Sequence, residues 1–274
     1  MILKIKTDPQ TEETFHDTNQ TLGHATFGVV QKVYSEADNK FYAMKKFNRA
    51  SRNATQRALS EAAIFEEAQR VRGVVGYKTL FADTYYLNLV MEYMENGSLT
   101  DYMRSKELRY LGEDAAAYFA YQTALVLIGL RKENIIHRDV TPGNIFIGAR
   151  GECKLGDFEY GVKSRENLFD PVGTIEYAAP EIFDRETYPK GYNYKVDWWS
   201  LGITIYEIAF GAQLFVDEEE ILSKQITFPA NASQHSMALL LGLLNRDPKG
   251  RLSEQQVTRH DWFKNKNVRS PPVL

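Results

Sequence analysis

The segment His137-Arg138-Asp139-Val140-Thr141-Pro142-Gly143-Asn144 constrains this chain more than any other stretch. An aspartate followed five places later by an asparagine, in a loop containing proline, offers a hydroxyl-orienting base and a metal ligand from one turn. Residues 113–131 read as a long apolar helix, so the loop that follows has a buried support. Asp157-Phe158-Glu159 comes next, after the short strand-like runs Ile145–Ile147 and Cys153–Leu155, and supplies a second carboxylate. Mg²⁺ takes few protein carboxylates and completes its shell with phosphate oxygens, a demand that Asn144 and Asp157 together meet.

The first third of the chain reads as a twisted antiparallel sheet. Residues 27–34 alternate around β-branched and aromatic side chains, residues 37–40 make a turn, and residues 41–45 return as a second strand. Residues 54–72 lack proline and glycine and read as a helix. Residues 85–91 read as another strand, followed by the polar segment 92–98, the expected lobe boundary. Beyond it helices dominate, at 113–131, 196–210, 237–244 and 253–260. The irregular stretch 159–178 is long enough to imply a functional loop.

Two features of the first third suit a phosphate. Gly23-His24-Ala25-Thr26-Phe27-Gly28 lies where a strand turns, and glycines there let backbone amides approach an anion. Ala25 fills the place of a middle glycine and adds only a methyl group; a plain hairpin turn is the alternative. Lys45 ends a strand, and a carboxylate in the next helix could fix it against a nucleotide phosphate. Glu61 is the expected partner, with Glu66 and Glu67 as competitors.

Composition narrows the class. The 274 residues suit two small domains or one two-lobed fold. Lys and Arg number 33 against 36 Asp and Glu, so there is no basic footprint and no nucleic-acid partner is expected. Cys153 is the one cysteine, which excludes an internal disulfide and reads as packing. No apolar run is long enough for a membrane span, and residues 1–6 lack the pattern of a secretory signal. The expectation is an intracellular protein, cytoplasmic or nuclear, in which the Asn-x-Ser/Thr triplets at Asn19, Asn53, Asn96 and Asn231 meet no glycosylation machinery.

With these residues in hand, the chain resembles a eukaryotic-type protein kinase domain of the serine/threonine class, closest to the AGC group through Asp197-Trp198-Trp199. The resemblance runs over residues 20–263 and includes Gly173-Thr174-Ile175-Glu176-Tyr177-Ala178-Ala179-Pro180-Glu181, Asp197 to Gly202, and Arg251. It implies an α+β, kinase-like bilobal fold: an antiparallel N-lobe sheet with one main helix over 20–91, a hinge over 92–97, and a mostly helical C-lobe over 98–263. A short extension (1–19) and tail (264–274) flank it, leaving an expected minimal kinase without the long AGC tail.

The resemblance implies ATP and Mg²⁺ as cofactors and a protein substrate carrying Ser or Thr; a regulatory partner fits too, and the oligomeric state stays open. Asp139 becomes the catalytic base, Lys45 the phosphate contact held by Glu61, and Asn144 and Asp157 the metal ligands. Leu22, Gly23, Ala25, Gly28, Val30, Ala43, Met91, Glu92, Met94, Leu99 and Phe146 line the nucleotide. Phe65, Tyr77, His137 and Phe158 form a stack, Glu181 pairs with Arg251, and Asp197 braces the catalytic loop.

Three residues depart from the family pattern. Thr141 stands where a lysine usually approaches the transferred phosphate, which removes a cation from the site. Glu159 replaces a glycine after Asp157-Phe158, and Ala25 is the mildest change. They motivate two alternatives, a nucleotide-binding pseudokinase scaffold and a small-molecule phosphotransferase. Lys45, Glu61, Asp139, Asn144 and Asp157 argue against the first; Ala179-Pro180-Glu181, Gly173-Thr174 and Arg251 argue against the second. Thr174 and Pro142 fit a serine/threonine acceptor. Ser98 and Gly143, at places acidic in Arg-directed relatives, argue against a strong upstream arginine preference, although Glu207 keeps one acidic site. Asp170 occupies the place of an activating phosphothreonine and is expected to pair with Arg138; Ser164 is a further candidate phosphosite. Asp217-Glu218-Glu219-Glu220 reads as the solvated start of a helix.

Overall fold

A computed structural model describes residues 5–8, 13–25 and 28–272. The chain divides into two units, Met1–Arg70 with Val75–Met94 and Val71–Val74 with Glu95–Leu274. The first is a sheet with one main helix and the second is mostly helical, the α+β organisation expected.

The first unit holds β1 (Ile5–Thr7), β2 (Thr14–Ala25), β3 (Gly28–Ser35), β4 (Lys40–Asn48), α1 (Arg52–Ala68), β5 (Tyr77–Ala82) and β6 (Tyr86–Glu92). The strands form one antiparallel sheet in the order β1-β2-β3-β4-β6-β5. Phe15, Val33, Met44, Phe81 and Val90 are the core on one face. The Phe15 and Phe81 rings stack with centroids 5.7 Å apart. Helix α1 is capped by the Ser51 side chain, which accepts from the Ala54 amide. Ala54, Ala58, Glu61, Ala62, Phe65 and Ala68 make its buried stripe, so Glu61 is the polar residue in an apolar face.

The expected extension 1–19 is corrected here: Ile5–Thr7 and the start of Thr14–Ala25 are strands of the sheet. The alternation was hidden because one inward residue is polar. Phe15 and Asp17 both point inward, and Asp17 is matched by Lys46 at 3.4 Å. Nearby, Thr79 donates to Asp8 at 2.8 Å, and Lys78 lies 3.1 Å from Glu13. Strand β5 also escaped the sequence reading, since a bulge between Tyr77 and Thr79 breaks its alternation and Phe81 is its buried residue. Of the glycine-rich turn, Thr26 and Phe27 lie outside the described residues.

The second unit holds α2 (Leu99–Ser105), α3 (Glu113–Lys132), β7 (Ile135–Ile136), β8 (Ile145–Ile147), β9 (Cys153–Leu155), β10 (Val162–Lys163), α4 (Pro180–Phe183), α5 (Lys195–Phe210), α6 (Glu218–Ser223), α7 (Gln234–Leu243), α8 (Glu254–Thr258) and α9 (Asp261–Lys264). Helix α5 is buried on every side from Val196 to Tyr206, which makes it the central element of this unit. Helix α3 packs on it through an alanine-rich face. Helix α7 starts three residues before its expected position because Ser233 caps it. Asp217 caps α6 in the same way, with the expected acidic first turn.

Two polar nodes, one buried and one half-buried, tie distant parts of the unit. Arg251 donates to Glu181 through both terminal nitrogens, at 2.7 and 2.9 Å, with side chains 0% and 2% exposed. Glu113 accepts from the Ser233 amide and hydroxyl, the Ser236 hydroxyl and the Trp262 indole, joining the starts of α3, α7 and α9. Burial pushes the Glu113 carboxyl up, but these hydrogen bonds outweigh it and hold it below the usual glutamate value.

Removing one member of a buried ion pair strands the other, so Glu181→Ala should cost about 3–5 kcal/mol in urea unfolding followed by tryptophan fluorescence. Glu113 has a lowered folded pKa, so its stabilisation is complete above the ordinary value of 4.5 and is lost as pH falls through the folded pKa. Glu113→Gln should therefore be less stable than wild type near neutrality, and the gap between their urea midpoints should narrow in acid below that value.

Candidate active site

The first unit presents a buried cation on a strand. Lys45, in β4, faces Val30 in β3 and Leu89 in β6. Its ammonium lies 3.1 and 2.9 Å from the two Glu61 oxygens, with side chains 3% and 1% exposed. The competitors are placed elsewhere: Glu66 is exposed and Glu67 half-buried on α1. Helical periodicity decides this, because Glu61 shares the stripe of Ala58, Ala62 and Phe65. Phe65 meets Tyr77 edge-on at 5.8 Å.

Around the lysine the sheet places the other sequence-predicted residues of this unit. Gly23 pairs with Val30 and Ala25 with Gly28 at the end of the β2–β3 hairpin, and Leu22 sits at the bulge before Gly23. Ala43, on the lysine's own strand, pairs with Met91 of β6, and Met94 is buried just beyond β6. The Glu92 carboxylate accepts from the Gly76 amide at 2.7 Å, and the Glu92 amide donates to the Gly76 carbonyl at 2.7 Å.

The second unit builds the loop from its central helix. Asp197, in the first turn of α5, accepts from the His137 amide at 2.9 Å and the Arg138 amide at 2.8 Å. Burial pushes the Asp197 carboxyl up, against the pull of those bonds and of His137 and Arg138. Two turns later Thr204 donates to the Val140 carbonyl at 3.0 Å. Sequence reasoning missed Thr204; its signal was a hydroxyl seven residues after Asp197 in an otherwise apolar helix. Arg138 takes a left-handed backbone, φ 67°, and Asp157 does likewise at 59°. Such conformations cost non-glycine residues about 1–3 kcal/mol and concentrate where surroundings over-determine them.

Asp139 is held from two sides. Asn144 donates through Nδ2 to the Asp139 carbonyl at 2.9 Å and to its Oδ2 at 2.8 Å. Thr174 donates to Oδ1 through its amide at 2.9 Å and its hydroxyl at 2.7 Å. Gly173 makes that contact feasible: at φ +102° a Cβ there would sit 2.4 Å from the Arg138 carbonyl oxygen. Three alternate donors thus fix one carboxylate without burying it fully.

The metal-ligand candidates are tied together within this unit. The Gly156 amide donates to the Asn144 carbonyl at 3.0 Å, and the Glu159 amide approaches Asp157 Oδ1 at 3.4 Å. Asn144 gives its amide nitrogen to Asp139, which turns its amide oxygen away from that carboxylate. A carboxylate and an amide oxygen are hard donors, and the set fits Mg²⁺. His137 bonds the Gly156 carbonyl at 3.0 Å and contacts the buried Phe158 ring at 4.9 Å. Phe146 is half-buried in β8 and Leu99 is buried at the start of α2.

Other residues singled out in the sequence have structural partners within this unit. Ser98 caps α2 in a reciprocal box with Asp101. Glu207 accepts from the Tyr177 hydroxyl, and burial raises its pKa despite that bond. Thr141 is buried, with its hydroxyl beside Gly143.

The protein kinase domain family matches residues 16–263. Among curated relatives, the chain is similar to the cAMP-dependent protein kinase catalytic subunit of Dictyostelium discoideum, 31% identical over 90% of this chain and 39% of the relative. It is similar to the RAC-beta serine/threonine-protein kinase A of Xenopus laevis, 30% identical over 94% of this chain and 55% of the relative. It is also similar to the serine/threonine-protein kinase SCH9 of Saccharomyces cerevisiae, 33% identical over 92% of this chain and 33% of the relative. The chain spans about half the length, or less, of these relatives.

Asp197→Asn would place an amide NH₂ against one of the two loop amides that the carboxylate now accepts. It should cost about 1–3 kcal/mol, read from urea unfolding, because a buried donor is left facing a donor.

Proposed function

The chain belongs to the protein kinase domain family, and on that premise we propose that it transfers the γ-phosphate of ATP to a serine or threonine hydroxyl of a protein. The observation that carries the reading is the Asp139 carboxylate, gripped by Asn144 from its own loop and by Thr174 from the segment after it. A carboxylate so held can accept the hydrogen bond of an incoming hydroxyl, aim its oxygen at phosphorus, and take the proton as the new ester bond forms.

Phosphoryl transfer asks a protein for positioning and charge neutralisation more than for covalent chemistry. Lys45, oriented by Glu61, neutralises the α- and β-phosphates. Within the first unit, Val30 and Ala43 provide apolar surface for the adenine. Met91 lies at the back of its pocket, while Glu92 and Met94 offer backbone groups to its edge. Asn144 and Asp157 would hold Mg²⁺, which supplies charge neutralisation to the phosphates when bound. Thr141 brings a hydroxyl and no charge, so turnover should be slower than with a lysine there, while every anchoring group is retained. The named activities of the relatives support the serine/threonine assignment. Use of ATP supports a site of action inside the cell, in cytoplasm or nucleus.

The test is transfer of labelled phosphate from ATP to a generic protein substrate with Mg²⁺. Asp139→Asn should reduce kcat by about 10²–10⁴-fold while leaving stabilisation by Mg-ATP intact. A wild-type protein that is stabilised by Mg-ATP yet transfers nothing overturns the reading in favour of a nucleotide-binding scaffold.

A further inference from the structure

The residue before the catalytic aspartate raises a question of its own. The Arg138 side chain is 9% exposed, and a guanidinium that deeply placed needs acceptors for its donors. Its Nε donates to the Tyr160 carbonyl at 2.6 Å and its Nη1 to the Tyr192 hydroxyl at 3.0 Å. The Asp170 carboxylate, expected to pair with it, lies 4.0 Å away and is 76% exposed. An ion pair that long and that wet contributes little. Tyr192 therefore makes the closer contact.

Tyr192 is 2% exposed, and burial raises its pKa against the opposing hydrogen bond from Arg138. The hydroxyl keeps its proton and works in both directions: it accepts from Arg138 and donates to the Asp170 carbonyl at 2.6 Å. The Tyr192 backbone also exchanges two hydrogen bonds with Leu168, at 2.7 and 3.0 Å. Gly191 permits this approach, since at φ +75° a Cβ would fall 2.3 Å from the Leu168 carbonyl oxygen. Four residues after Asp170, Thr174 is bonded to Asp139. The segment 168–174 is thus fastened at both ends to neighbouring residues of one loop, Arg138 through Tyr192 and Asp139 directly.

We propose that Tyr192 is a positioning residue for phosphoryl transfer, its hydroxyl coupling Arg138 to Asp170 beside the backbone pairing with Leu168, so that Thr174 and Asp139 hold their working geometry in the unmodified chain. The proposal rests on the kinase reading for its kinetic consequences and on the hydrogen bonds alone for its structural ones. Tyr192→Phe keeps the ring and deletes the bridge.

In phosphatase-treated full-length protein, Tyr192→Phe should lower kcat on a protein substrate about tenfold, the equivalent of one hydrogen bond. The KM for ATP should stay near wild type, the thermal midpoint should fall by a few degrees because the Arg138 guanidinium loses an acceptor, and amide hydrogen exchange over residues 165–174 should quicken. Asp170→Glu added to Tyr192→Phe lengthens the carboxylate toward Arg138 and should recover much of the loss. Asp170→Asn alone should leave kcat near wild type. Unchanged kcat or unchanged exchange in Tyr192→Phe overturns the proposal, as does a loss that Asp170→Glu does not relieve. So does a tenfold loss in Asp170→Asn alone. If the wild type transfers no phosphate, the kinase reading fails by itself; faster exchange in Tyr192→Phe then supports the bridge, and unchanged exchange overturns it.

Discussion

A single buried carboxylate organises the second unit. Asp197 sits in a helix buried on every side and spends both oxygens on consecutive loop amides, those of His137 and Arg138. Placing a carboxylate there is costly, and its raised pKa records that cost. Two backbone donors offset it and in return fix the direction in which the loop leaves β7. Arg138 is held left-handed as a result, and Asp139 emerges at a defined place. Thr204 adds a second tether farther along the loop. The position of the candidate base is therefore set from beneath, by a helix that does not itself reach the chemistry.

The segment after Asp157 is then laid onto that fixed loop. Val162 and Lys163 pair with β7, Tyr192 reaches Arg138, and Thr174 reaches Asp139. These contacts join residues far apart in sequence, so the arrangement exists only when the helical unit has folded. Such a design suits a site whose groups must be preorganised before substrate arrives. At Glu159 the glycine of the family pattern is not needed for backbone freedom, because the residue takes no left-handed conformation, unlike Asp157 two places earlier.

Much of this was legible in the sequence because it is written in short spacings. The five-residue interval from Asp139 to Asn144 carries a hydrogen bond within one turn. The pairing of Lys45 with Glu61 followed from helix periodicity once the strand was placed. What stayed illegible depends on single polar atoms in apolar surroundings. Thr204 looked like one more β-branched residue between Ile203 and Ile205, and Tyr192 like part of a loop. Strand β2 was obscured because Asp17 occupies an inward position that a pattern search expects to be apolar. Ser98, read in the sequence for its missing charge, is also the cap on which α2 starts.

The early strands carry a consequence for where this domain can be cut. Phe15 supplies one of two stacked rings in the sheet core and covers Val33 and Met44 together with Phe81. A fragment begun at Gln20, where the family resemblance starts, would lack that ring and much of the strand beside β3. It would present a sheet edge with unpaired amides above an opened apolar face, the combination by which chains associate with one another instead of remaining separate.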